Sequence, residues 1–254
     1  MKISVCVPSY RRPRVKTSEY LPFVKIYIDK SDEDEYRKYN PDYNLVVCRD
    51  GVQGNLARVR NYILDEEFGD GADAVILMDD DVSGIYRFDV QPNGFGYKSI
   101  HVDADEFLMY MEKYIILTKD WGLGAFSLNN TNMPMSYQHF KPFLTHALNL
   151  GCFTCHVQNK LRYDENLPLK EDYDMFIQQQ NEYRGMLSIR SMYYVADIGV
   201  GVGGTAVRRN YEREREQQDL LIKKWGSRIV KRKKDFKTNY KSLSQDIHIP
   251  IQGI

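Results

Sequence analysis

Three consecutive carboxylates, Asp79, Asp80 and Asp81, follow the wholly apolar run Ala74-Val75-Ile76-Leu77-Met78. Side chains alternate sides along an extended chain, so Asp79 and Asp81 face the same way. Two carboxylates presented together suit a hard cation such as Mg²⁺ or Mn²⁺, which takes oxygen ligands and shares them with substrate phosphates. Such an ion would neutralise charge on a departing diphosphate, as a Lewis acid does for a leaving group. The other reading is that the three acids cap the next helix or turn.

Other candidates carry less specific chemistry. Cys152-Phe153-Thr154-Cys155 has CxxC spacing and is followed by His156, which admits a zinc or redox site; with no second CxxC, a buried strand is the competing reading. The loop Gly199-Val200-Gly201-Val202-Gly203-Gly204 could bring backbone N–H groups to a diphosphate, with Arg208 and Arg209 adding contacts, or could be a plain turn. Between Lys223 and Lys237, Lys223, Lys224, Arg228, Lys231, Arg232, Lys233, Lys234 and Lys237 stand against one acid, Asp235. That run fits a polyanionic partner or a solvated face.

The elements that would position these groups are legible as short β-branched runs alternating with helical stretches, the pattern of a parallel sheet with crossover helices. Strands are predicted over Ile3 to Val7, Val24 to Ile28, Leu45 to Cys48 and Ala74 to Met78, with a crossover helix over Leu56 to Phe68 stopped by Gly69-Asp70-Gly71. The first, second and fourth strands end in Pro8-Ser9-Tyr10-Arg11, Asp29 and Asp79-Asp80-Asp81. Ligands of open α/β sheets bind beyond the carboxyl ends of strands, so these three tips are expected to converge on one cleft. Farther on, helices are predicted over Asp103 to Leu117, Asp172 to Asn181 and Arg208 to Trp225, and a strand over Tyr193 to Val202.

A chain of 254 residues with 43% hydrophobic content can bury one sizeable α/β core. We expect one domain over residues 1–222, with 223–254 a basic extension packed on it. No run approaches the roughly 18 apolar residues of a membrane helix. The opening residues read as a buried strand rather than a signal peptide, and the four cysteines suit a reducing compartment, so a cytoplasmic protein is expected.

The segment Ile3-Ser4-Val5-Cys6-Val7-Pro8-Ser9-Tyr10-Arg11-Arg12-Pro13 resembles the opening strand and turn of family 2-like GT-A glycosyltransferases. Val24 to Asp29 resembles their second strand, Gly54 with Ala57, Arg58, Arg60 and Asn61 their Gly…Ala-Arg-Asn helix start, and Asp79 to Asp81 their DxD motif. Leu161 to Met175 is similar to the segment carrying their Glu-Asp motif. The resemblance implies a GT-A fold, that is, a Rossmann-like, mainly parallel sheet flanked by helices, and a nucleotide-sugar donor, a UDP-sugar first. Pro8, Ser9, Tyr10, Arg11, Asp29, Arg60, Asp79 and Asp80 would contact that donor. Asp79 and Asp81 would hold Mn²⁺ or Mg²⁺, with His248 completing the shell. Asp172 would be the catalytic base, beside Glu171 and with Asp174 as second choice; the competing reading is favourable charge in a helix's first turn. The turn Asp29-Lys30-Ser31-Asp32 departs from the family's Asp-Asp-Gly-Ser type, and the Gln-x-x-Arg-Trp motif of processive polymerases is missing.

A closer resemblance is to small phage enzymes, the TET-associated glycosyltransferases, which attach sugars to hydroxymethylated pyrimidines such as 5-hydroxymethylcytosine in DNA. It rests on the Pro-Ser-Tyr-Arg-Arg opening, Leu169-Lys170-Glu171-Asp172-Tyr173-Asp174, the glycine loop and the basic stretch from Lys223-Lys224-Trp225-Gly226. It implies DNA as acceptor and the host cytoplasm as location, with Arg228, Lys231, Arg232, Lys233, Lys234 and Lys237 on phosphates and Tyr193, Tyr194 or Trp225 supporting an unstacked base. Competing functions are transfer to a glycan, protein or lipid, nucleotidyl transfer, and non-catalytic nucleic-acid binding.

Overall fold

A computed structural model describes residues 1–91, 96–134, 137–148, 151–197, 209–233 and 243–250. Strand β1 (Ile3–Pro8) pairs in parallel with β2 (Lys25–Ile28) and β4 (Ala74–Met78), and β2 with β3 (Asn44–Val47). All five residues of β4 are buried, the mark of a strand covered on both faces. Alternation sorts the side chains: Val5, Val7, Ile76 and Met78 go to one core, Cys6, Val75 and Leu77 to the other. Helix α3 (Leu56–Gly69) covers the second face with Val59, Ile63 and Leu64. Two short helices, α1 (Lys16–Tyr20) and α2 (Glu33–Tyr39), connect the first three strands.

Helix α4 (Ala104–Asp120) covers the first face through Phe107, Met111 and Ile115, and starts at a capping box in which Asp103 and Glu106 satisfy each other's backbone N–H groups. The remaining strands of this sheet are β5 (Val82–Val90), β6 (Tyr97–Val102), β7 (Ala125–Asn129), β8 (Phe143–Leu144), β9 (Phe153–His156) and β10 (Leu187–Ala196). The order is β3-β2-β1-β4-β9-β7-β10-β5-β6, with β8 also on β10. Strand β9 runs antiparallel to both neighbours, β7 and β10 are parallel, and β5 is antiparallel to β10 and β6. The sheet is therefore parallel over its first four strands, as expected, and mixed beyond them. Helices α5 (Glu171–Tyr183) and α6 (Tyr211–Trp225) and a hairpin of β11 (Val230–Arg232) and β12 (Gln245–Ile247) complete the described elements. Val230 packs with Leu221 of α6 and Phe176 of α5.

One expectation and the helix part of one competing reading are corrected. The strand foreseen from Tyr193 starts at Leu187 and stops at Ala196; the glycine loop 199–204 and Arg208 lie outside the described residues. The three aspartates cap no helix, because the chain turns straight from β4 into β5. No helix among the described residues is long and apolar enough to cross a membrane.

Candidate active site

The tips of β1 and β4 meet through Asp80. Its carboxylate is 6% exposed and accepts from the Ser9 hydroxyl at 2.6 Å and the Arg12 guanidinium at 2.9 Å. Burial raises this carboxyl, against those two bonds. Asp80 is thus turned into the protein, and its neighbours on either side face together: carboxylate oxygens of Asp79 and Asp81 and the Cys152 sulfur all lie within 4.8 Å of one another. Asp81 Oδ1 is buried without a hydrogen-bond partner, and burial, then Asp79 and Asp80, push the carboxyl up to about 6. An orphaned carboxylate oxygen beside a second carboxylate fits a divalent cation. The Cys152 thiol, raised by burial and by both aspartates, is a neutral neighbour there.

Helix α3 supplies the link to the second acidic set. Arg60 is 7% exposed; one guanidinium nitrogen reaches Asp79 at 3.3 Å, another reaches Glu171 at 3.1 Å, and the plane lies 5.4 Å from the Tyr163 ring centre. Burial, followed by neighbouring Asp172, pushes Glu171 up to about 8 against the pull of Arg60. Asp172 is half-buried and raised by desolvation, with the Tyr173 N–H on Oδ1 at 2.8 Å. Asp174 is a different case. It is fully buried and accepts from Trp225 Nε1 (2.7 Å), Lys224 Nζ (2.9 Å) and Gln178 Nε2 (2.7 Å). With donors on both oxygens it anchors α6 to α5 and has no capacity left for a substrate proton.

A cavity of about 150 Å³ opens beside Asp79 and Asp80, walled by the β1 turn, the start of α3, Pro168 and Leu169, and Arg213 and Gln217 of α6. Pro8, Ser9 and Tyr10 line it as expected, joined by Arg12 rather than Arg11. The Arg11 N–H donates to Asp32 at 3.3 Å and its guanidinium sits 5.0 Å from the Tyr10 ring centre. Asp29 does not line the cavity: the Ser31 N–H and hydroxyl both donate to its Oδ1, at 2.8 and 2.7 Å, making it the cap of the following turn. Arg60 also lies outside the lining, behind the carboxylates. His248 stands apart from the Asp79–Asp81–Cys152 group, on the hairpin side, where its N–H donates to the Ile229 carbonyl at 2.8 Å.

Sequence reasoning missed Arg12, Asn55, Arg213 and Gln217. Arg12 and Asn55 sit inside motif segments and could have been found there; α6 offered no motif.

Cys155 and His156 lie in β9 and belong to the core. His156 accepts from Asn159 Nδ2 on Nδ1 (3.2 Å) and meets the Tyr163 hydroxyl through Nε2 (2.9 Å), so the CxxC-His run is a buried strand with Cys152 alone at the site. Arg228 and Lys231 are exposed. Arg232 pairs with Asp219 and Lys233 with Asp246 (3.2 Å); Lys234 and Lys237 lie outside the described residues. Arg209 pairs with Glu214 at 3.0 Å. Tyr193 and Tyr194 are buried, the first stacked on Tyr86 and the second bonded to the Cys152 N–H, so neither offers a face to an unstacked base. Trp225 gives its N–H to Asp174.

A family model described as TET-associated glycosyltransferase matches residues 15–204. No curated protein matches the chain. Among solved structures, S. aureus TarS aligns at 15% identity and TM-score 0.47 over 87% of this chain, which spans 40% of the length of TarS. A structure described as a nucleotide-diphospho-sugar transferase from Desulfovibrio desulfuricans G20 aligns at 10% identity and TM-score 0.43, covering 89% of this chain and 99% of that one. Glucosyl-3-phosphoglycerate synthase from Mycobacterium tuberculosis, solved with Mn²⁺, UDP-glucose and glycerol 3-phosphate, gives 10% identity and TM-score 0.45 over 77% and 72%.

Proposed function

We propose, given that this chain belongs to the TET-associated glycosyltransferases, that it moves a sugar from a nucleoside-diphosphate donor to a hydroxymethylated pyrimidine of DNA. The observation that carries the donor half is the Asp79–Asp81 pair, with its orphaned oxygen, whose Asp79 lines a cavity together with the β1 turn. Asp79 and Asp81 would hold Mg²⁺ or Mn²⁺, which when bound offsets the charge of the diphosphate. Asp172 takes the proton of the acceptor hydroxyl as its oxygen bonds to the anomeric carbon; the bond from that carbon to the diphosphate breaks and its electron pair leaves with the diphosphate. Burial holds both Glu171 and Asp172 above the usual carboxylate range; Glu171 is engaged by Arg60 at 3.1 Å, so Asp172, with only the Tyr173 N–H on Oδ1, is the carboxylate assigned to accept. Arg60 keeps both acidic sets in register. The acceptor half is supported by the family's description and by exposed Arg228 and Lys231.

The test is incubation with a panel of nucleotide sugars, Mn²⁺ and hydroxymethylated duplex DNA, followed by mass analysis of the nucleosides. A sugar-sized mass gain on the modified base is expected; a panel that leaves the DNA unchanged while another acceptor gains the sugar overturns the DNA reading. Asp79→Asn or Asp81→Asn should cut transfer by about two orders of magnitude or more without unfolding the protein. Full activity in excess chelator would overturn the metal assignment.

A further inference from the structure

Helix α6 packs an unusual stripe against the protein: Glu214, Gln217, Gln218 and Leu221 are its buried residues. Two of the polar three are met from within. Glu214 takes Lys170 Nζ at 2.6 Å and the Leu243 N–H at 3.0 Å, and Gln218 donates to Gln245 at 3.3 Å while accepting from Arg215 at 3.3 Å. Gln217 differs. It is 8% exposed and lines the cavity beside Asp79 and Asp80; its Nε2 donates to the Asn166 carbonyl at 3.1 Å, and its Oε1 is buried with no hydrogen-bond partner.

An amide can be turned end for end, but here the turned form would set Oε1 against the Asn166 carbonyl, acceptor against acceptor. The nitrogen is therefore fixed on Asn166, and the oxygen, on a residue that lines the cavity, is left without a donor. A buried acceptor without a donor is rare in folded proteins and marks a place where something else supplies one. A diphosphate cannot, since its oxygens are acceptors too. An N–H or O–H group can.

We propose that Gln217 is a specificity-determining residue for the donor substrate, its Oε1 accepting a hydrogen bond from the N–H edge of the base or from a hydroxyl of the ribose or transferred sugar. This rests on the donor reading above. Arg213, one turn earlier on the same helix, lines the same cavity, so α6 forms one wall of it.

The test is calorimetric binding of UDP, GDP, ADP and CDP, with Mn²⁺, to the whole chain and to Gln217→Met, which keeps the length of the side chain and removes the amide. The tightest-binding nucleotide is then compared with its sugar conjugate and with analogues methylated at the base N–H or lacking single hydroxyls. The variant should bind about tenfold more weakly. One analogue should lose affinity for the wild type and none for the variant, because only the wild type has the acceptor that the analogue fails to satisfy. Loss already seen with the free nucleotide places the contact on the nucleoside; loss confined to the conjugate places it on the sugar. If Gln217→Met does not fold, Gln217→Asn, one methylene shorter, replaces it. Unchanged affinity, or equal weakening of every ligand and analogue, overturns the proposal while leaving the donor reading standing. A wild type that binds none of the nucleotides overturns both.

Discussion

Two aspartates two residues apart in one helical turn differ in how many donors their oxygens face. Asp172 has the Tyr173 N–H, whereas Asp174 has Trp225, Lys224 and Gln178. Asp172→Asn should lower turnover by about two orders of magnitude or more with little change in donor affinity, read by steady-state kinetics and calorimetry. Asp174→Asn should instead cost about 3 kcal/mol in urea unfolding, the scale for breaking a buried ion pair. The sequence could not separate them, since both are acids in a first turn; only the partners do. Asp29 is a similar case, because nothing in a strand-end aspartate shows that its carboxylate will take the Ser31 N–H as a cap. That Asp79 and Asp81 face together was legible from strand alternation alone. His156 gives a pH signature. Burial, with Arg60 and Arg162 adding to it, lowers its value from 6.5 to about 3, so the fold holds it neutral. Its contribution is complete above about pH 6.5 and is lost as pH falls toward 3, at up to about 1.4 kcal/mol per unit. Urea unfolding between pH 7 and 4 should show this slope in the wild type and lose it in His156→Gln.

Among the elements, the first four strands and α3 were readable because runs such as Ala74–Met78 are apolar throughout and end in polar tips. Strand β10 was read six residues short: Ser188, Arg190 and Ser191 break the apolar pattern where its register with β7 shifts between Ile189 and Tyr193. Helix α6 was found, but its place was not. Its buried positions keep the spacing of a core stripe, yet three of the four are polar, so hydropathy presents a solvated helix. What fixes α6 is a buried ion pair, Lys170–Glu214, with Lys170 also donating to the Leu243 carbonyl at 2.6 Å. Lys170→Met strips the main partner from a buried carboxylate and should destabilise by about 3–5 kcal/mol in chemical denaturation. Lys170→Met with Glu214→Leu should recover much of that, since two apolar groups carry no unpaired charge.

For the molecule as a whole, equal numbers of acidic and basic residues, 35 of each, leave no net attraction for a polyanion, so the proposed DNA acceptor requires a local patch. Arg232 and Lys233 already sit against Asp219 and Asp246, while Arg228 and Lys231 are exposed. Fluorescence anisotropy across a salt series should therefore show that Arg228→Ala with Lys231→Ala lowers the log–log slope by about two, equally for all sequences. The sheet order has a consequence for how the chain reaches this form. Strand β9 lies between β4 and β7, yet it is made long after β4. Until residues 153–156 arrive, β4 is the bare edge of a four-stranded parallel sheet, and its sequence Ala-Val-Ile-Leu-Met has no charge, proline or bulge to discourage a second chain from pairing there. The growing polypeptide thus carries an apolar edge next to an acidic turn, and the repulsion of Asp79, Asp80 and Asp81 between neighbouring chains acts as a gatekeeper at that end until β9 closes the gap.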